Sequence, residues 1–263
     1  GKAGHAEFSG RLRIASTQEK SFTGDVLLAS AWVSPALRDT FITPIAAPSI
    51  LSAHGAELRT ALDQGLQDFN LKAKTTIEGT ASGWAFEAHG PAALESGSGL
   101  VFQVESTEAE SWLRFDSGQR TLKGKVSISG GGLPQFRSQM ELEAPTNGVF
   151  LLKAEDVHLS PWSAGTKTIS ADLNGFDLVK DSQTLSLKSS GKIGIAGQIS
   201  GFDIRTTTLS GGVSAERNQS GWQVAPESRK CIQVQSQGVR IGAVQALSFV
   251  TDVCPEGDWF VRP

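Results

Sequence analysis

The side chains able to do chemistry are few and far apart. The chain has four histidines, His5, His54, His89 and His158, and two cysteines, Cys231 and Cys254. A metal site needs several such ligands converging, and spacings such as C-x-x-C or H-E-x-x-H announce it. Beyond His5-x-Glu7 no histidine has a partner at such a spacing, so no metal and no cofactor are expected. Neither a G-x-S-x-G elbow nor a phosphate loop occurs. Gly97-x-Gly99 follows a strand pattern, but no helix pattern succeeds it, which removes a dinucleotide reading. A glycosidase pair is assembled in space rather than in sequence. Carbohydrate sites, however, present Tyr and Trp platforms; this chain has no Tyr and its six Trp are dispersed. No catalytic residue is assigned, and the chain is not expected to be an enzyme.

The two cysteines stand in strand-like text near the C-terminus. Bridged, they would close a loop of about two dozen residues and stabilise by roughly 3 kcal/mol on the chain-entropy account. Unbridged, they would be two buried thiols.

Composition narrows the class. Of 263 residues, 29 are Gly, 39% are hydrophobic and only 19% are charged. Gly together with dense Ser and Thr is the chemistry of strands and turns. The formal net charge is -3 and the basic residues form no stripe, so no nucleic-acid partner is expected. No run of eighteen apolar residues marks a membrane helix. No leader or initiating Met is present, and both ends are abrupt, so the chain is expected to be a piece of a longer polypeptide.

The elements follow from periodicity. Phe136, Met140, Leu142 and Ala144 alternate with Gln135, Arg137, Gln139, Glu141 and Glu143, which is a strand with one dry and one wet face. Phe8-Gly10-Leu12-Ile14, Leu113-Phe115, Leu122-Val126-Ile128, Ile193-Ile195 and Ile232-Val234 repeat the pattern. Roughly sixteen strand candidates at short spacing predict meandering antiparallel sheet. Gly130-Gly131-Gly132 and Asn147-Gly148 mark turns. One helix is predicted at about 48–69, opened by Pro48, with Leu51, Leu58, Leu62, Leu66 and Phe69 on one side. Its polar side lacks the basic bias of a membrane-surface helix, so it is expected to pack on or cap the sheet. One continuous unit over 1–263 is expected.

A long sheet with one apolar face must hide that face. A sandwich or barrel hides it by closure. An open, curled sheet leaves it exposed unless a partner fills it. A lipid acyl chain is such a partner, at about 0.8 kcal/mol per buried methylene.

The stretch Leu58-Arg59-Thr60-Ala61-Leu62-x3-Leu66-x2-Phe69-Asn70-Leu71-x-Ala73 resembles the helix-to-strand cadence of YdbH-type proteins. These belong to the AsmA-like superfamily of bridge-like lipid transfer proteins of Gram-negative bacteria. A Gly90-Pro91 turn, a strand over Ser98-Gly99-Leu100-Val101-Phe102, and the order Trp222, Cys231, Cys254-Pro255 are similar to that family's pattern. The resemblance spans most of 48–106 and 209–255. Thr75, Thr76 and Ser82 depart from it by making the strands beside the helix less greasy. It implies an elongated, curled antiparallel β-sheet forming a hydrophobic groove, in the periplasm, anchored to the inner membrane by a segment not included in this chain. The implied role is to move phospholipid between inner and outer membranes, with membrane partner proteins reached through regions outside the chain. The candidate groove lining is Leu12, Ile14, Val26, Leu28, Trp84, Phe86, Leu100, Phe102, Val104, Leu113, Phe115, Val126, Ile128, Phe136, Met140, Leu142, Phe150 and Leu152, with Cys231 and Cys254 as the disulfide. The rival expectation is an extracytoplasmic structural or adhesive module of closed sandwiches without ligand.

Overall fold

The computed structural model describes residues 5–14, 20–35, 51–80, 83–106, 110–116, 118–145, 148–199, 201–218, 221–227 and 230–255, with positions 38, 42, 257 and 260. For residues 5–14, 20–26, 29, 77–80, 83, 84 and 218 it describes backbone alone. The fold is all-β: the described elements are strands but for one helix, and the pairings among them are antiparallel. The chain divides into two compact units, Gly1–Asn147 and Gly148–Pro263. The boundary falls at the predicted Asn147-Gly148 turn, of which Asn147 lies outside the described residues.

The first unit contains β1 (His5–Ile14), β2 (Lys20–Ala31), α1 (Ser52–Gly65), β3 (Phe69–Thr80), β4 (Gly83–Ser96), β5 (Val101–Glu105), β6 (Ser111–Phe115), β7 (Arg120–Gly130) and β8 (Leu133–Glu143). These form a meander in which β5 and β6 share one position between β4 and β7. Eight strands therefore fill seven positions, about 29 Å from edge to edge at strand spacing. Single-file stacking of every predicted strand would overstate the reach of the sheet.

The second unit contains β9 (Phe150–Ala164), β10 (Lys167–Lys180), β11 (Leu185–Ile199), β12 (Phe202–Asn218), β13 (Gly221–Pro226), β14 (Ile232–Ser236), β15 (Val239–Ile241), β16 (Val244–Ala246) and β17 (Phe249–Val253). The first four are long consecutive neighbours. Strand β12 then carries β15, β14 and β13 end to end along its other edge. Cys231 and Cys254 are bridged, with Cα atoms 4.2 Å apart, where β14 begins and β17 ends. Of the two readings the sequence left open, the disulfide is the one found. It fits an oxidising, extracytoplasmic compartment. No helix among the described residues is long and apolar enough to cross a membrane.

Three local expectations are corrected. Helix α1 spans Ser52–Gly65 and so ends short of 69, where Phe69 already opens β3; the expected opening at Pro48 lies outside the described residues. Its buried positions are His54, Gly55, Ala61 and Gly65, one step round from the leucine stripe. Small residues let the helix approach closely, and a β-carbon at Gly65 would lie 2.5 Å from Leu100 Cδ2. Gly90-Pro91 is not a turn but lies inside β4, at a register shift against β3. A bulge tolerates proline because the residue left out of the ladder needs no N–H. Ser98-Gly99-Leu100 is the turn between β4 and β5 rather than part of a strand.

Candidate functional site

Register aligns the apolar residues into lines that run across the strands. In the first unit Leu28, Leu71, Leu94, Phe102, Ile128 and Phe136 oppose one another in turn from β2 to β8. Directly opposed residues share a sheet face, so this is one continuous apolar row, and each of its members is half-buried. Two positions along the strands, Ala92, Val104, Val126 and Ser138 form a second row. Four further on, Ala88, Leu113, Leu122 and Leu142 form a third. Phe86 and Phe115 close the face beside Arg120.

The centre of this face is packed. Val104 and Val126 are 1% and 2% exposed, and Trp112 joins them with Ala73, Ala88 and Ala92. Trp112 was missed because it is out of phase with Leu113 and Phe115. Ala88 pairs with Leu113 and His89 with Ser111, which leaves Trp112 as the extra residue of a bulge. A bulge re-aims a side chain, and here it turns the indole inward. The only advance sign was an aromatic residue beside an alternating pair.

In the second unit the rows are equally continuous. Leu152, Leu178, Leu187, Ala215 and Val224 form one; Leu159, Ala171, Ile193, Leu209 and Val234 form another. Bulges keep the rows in phase. Gly191, at φ 140, faces the β10 bulge so closely that a β-carbon would lie 2.6 Å from Leu173 Cα. Only a residue without a side chain fits there.

The two faces differ in closure as well as polarity. Among the described residues of the second unit no Leu, Ile, Val, Phe or Trp is buried; the buried hydrophobics are Ala154 and Ala164. Ile193 is 37% exposed in the middle of its row. A two-sheet sandwich interdigitates the large side chains of its inner faces and removes them from water. The second unit lacks that signature.

The opposite faces are polar and internally matched. Arg114 pairs with Glu87 at 2.7 Å, Lys125 with Glu105 at 2.7 Å and Arg240 with Asp203 at 2.7 Å. Exposed pairs of this kind contribute about 0–1 kcal/mol each. A shallow cleft bordered by Glu105, Glu110, Lys123 and Lys125 lies on this polar side, where Glu105 already neutralises Lys125. His158 Nδ1 lies 2.6 Å from Asp172 Oδ1, an exposed cross-strand pair. No group of three or more metal-ligating side chains converges among the described residues.

Two carboxylates have lowered pKa values, both in turns. Asp116 accepts backbone N–H bonds from Gly118 and Gln119 and is flanked by Arg114, and these donors hold it below the usual carboxylate range. Asp181 is held down by the N–H of Gln183, then the hydroxyl and N–H of Thr184. Both stabilise the turn that contains them.

The predicted lining residues divide cleanly. Leu28, Phe86, Phe102, Val104, Leu113, Phe115, Val126, Ile128, Phe136 and Leu142 stand on the apolar face of the first unit, and Met140 opposes Gly124 on the same face. Phe150 and Leu152 stand on that of the second. Leu100 lies instead in the turn beneath α1, 4% exposed. Leu12, Ile14, Val26 and Trp84 lie in β1, β2 and β4, but their side chains are outside the description. Leu71, Leu94 and Leu122, absent from the candidate lining, complete the rows.

No family model matches the chain, and no curated protein and no solved structure does. The resemblance to YdbH-type proteins therefore rests on the sequence motifs alone.

Proposed function

We propose that the chain is a periplasmic segment of a bridge-like lipid transfer protein, whose apolar sheet faces carry phospholipid acyl chains between inner and outer membranes. The observation that carries this reading is the pairing of continuous cross-strand apolar rows with incomplete burial of their large side chains, seen most fully in the second unit. Each methylene laid on such a row gains up to about 0.8 kcal/mol. Successive rows offer equivalent aliphatic surface, so a chain can slide without meeting a deep trap. The disulfide suits the same compartment. Membrane partner proteins and the inner-membrane anchor belong to regions outside the chain, and no catalytic step is required.

The rival reading, a structural module without ligand, draws on the buried Val104–Trp112–Val126 cluster of the first unit. Mass spectrometry of lipids extracted from the chain purified from a bacterial periplasm separates the two. Stoichiometric phospholipid, lost in folded Phe102→Asp, supports transport. A folded, lipid-free protein supports the structural module and overturns the lipid reading.

A further inference from the structure

The apolar face of the second unit ends in a row of different character. Phe150 opposes Lys180, Lys180 opposes Leu185, Leu185 opposes Arg217 and Arg217 opposes Trp222. Each stands two residues along its strand from the row Leu152, Leu178, Leu187, Ala215 and Val224, and so lies on the same face. Two cations thus sit at the rim of an aliphatic surface, on the side where the polar residues of a strand are not expected. Both are exposed. The Arg217 guanidinium lies 6.0 Å from the centre of the Trp222 ring, which is itself 43% exposed. That stacking orients the guanidinium without neutralising it.

Among the described residues no carboxylate answers these charges. Neither Lys180 nor Arg217 is ion-paired among the described residues, whereas Arg114, Lys125 and Arg240 on the polar faces are. The neighbouring Asp181 carboxylate is taken up by its own turn, by the N–H groups of Gln183 and Thr184 and the Thr184 hydroxyl. Asp177 and Glu216 alternate onto the opposite face. The two cations are separated by one intervening strand, about 10 Å between backbones, a gap that long side chains reaching inward can share across one phosphodiester.

We infer that Lys180 and Arg217 form a head-group site for an anionic phospholipid whose acyl chains lie on the adjoining apolar row. The inference rests on the lipid reading above and adds to it a lipid class and an orientation. The phosphate sits at the Phe150–Trp222 rim and the chains run toward the rows of Leu187 and Ile193. A guanidinium offers a phosphate two parallel donors and an ammonium a compact charge, so a net anionic head group is favoured over a zwitterionic one, whose own cation competes.

The test is calorimetric titration of the intact chain with monomeric short-chain phosphatidylglycerol and phosphatidylcholine carrying identical acyl chains. The expected result is about tenfold tighter binding of phosphatidylglycerol, with the preference abolished in the double variant Lys180→Gln, Arg217→Gln and suppressed in the unaltered protein by raising salt to about 0.5 M. Both substitutions are at exposed strand ends, and circular dichroism checks the fold. Equal affinities for the two lipids, or a preference that survives the substitutions, would overturn the head-group site and leave the acyl groove standing. Failure of both lipids to bind would overturn the groove and the head-group site together.

Discussion

Gly65, the last residue of α1, abuts Leu100 in the turn between β4 and β5, with room for a hydrogen but not for a methyl group. Glycine inside a helix costs about 1 kcal/mol relative to alanine, so helix propensity alone would make Gly65→Ala stabilising. The opposite is expected. Leu100 is 4% exposed, so admitting a methyl group requires its Cδ2 to shift within a packed surrounding, and overpacking of this kind costs about 1–3 kcal/mol. Urea unfolding should show Gly65→Ala less stable than the parent. In a Leu100→Ala background, where the clash is gone, the same change should be neutral or stabilising. A penalty that persists without Leu100 would refute the contact as its cause.

Trp112 gives a second, graded expectation. It is 7% exposed, and its Nε1 has no hydrogen-bond partner among the described residues. Trp112→Ala should cost about 3–5 kcal/mol through the cavity it leaves. Trp112→Phe also loses volume, but it removes a buried donor whose desolvation is uncompensated. It should therefore cost well under half as much, judged by denaturant midpoint at constant slope. Equal losses in the two variants would mean that the indole N–H is satisfied.

Acid should act on the turns. The folded-state pKa values of Asp116 and Asp181 are lowered from 3.8. Their contribution to stability is then fully present above the unfolded value and is lost as pH falls below about 3.8 through the folded values. Asp116→Asn and Asp181→Asn should lower stability most at neutral pH, where the carboxylate contribution is fully present, and least in strong acid, so that the acid limb of a stability–pH curve flattens. An acid limb unchanged in the double variant would show that other carboxylates set it.

Much of the architecture was legible because alternation is a direct consequence of strand geometry. Phe136, Met140 and Leu142 reveal both a strand and the face it buries. What alternation cannot show is a fault in its own phase. The bulge that turns Trp112 inward and the fault opposite Gly191 each shift parity by one residue, while the Gly90-Pro91 irregularity gives β4 two residues more than β3, and only the partner strand discloses either. The helix was visible but its packed side was not, because hydrophobicity points to Leu58 and Leu62 while close approach depends on Ala61 and Gly65. The lateral order was hidden as well. Nothing in the lengths of β13, β14 and β15 shows that they lie end to end along β12.

The disulfide should matter in proportion to the loop it closes. Cys231 and Cys254 are 23 residues apart, and the segment between them holds the short strands β14 to β17, whose side chains are mostly exposed. With so little apolar burial there, the cross-link is a principal restraint. Replacing both cysteines by serine should cost about 3 kcal/mol and raise hydrogen exchange in β14 and β17 before β9 to β11. Uniform acceleration across the second unit would instead make the segment part of one cooperative block.

Ile193 separates an open face from a closed core. It lies mid-row between Ala171 and Leu209 and is 37% exposed. In a closed core a carboxylate at such a position would be buried unpaired and would unfold the domain. On an open face, Ile193→Asp leaves the carboxylate in water and should shift the urea midpoint by less than about 1 kcal/mol equivalent. The same substitution interrupts the apolar row and should strip bound phospholipid, read by mass spectrometry of the purified protein. Its neighbour Lys192 alternates onto the opposite face, so Lys192→Asp should change neither quantity appreciably. Unfolding by Ile193→Asp would show that another layer covers the row, and retention of lipid by the folded variant would place the acyl chains elsewhere.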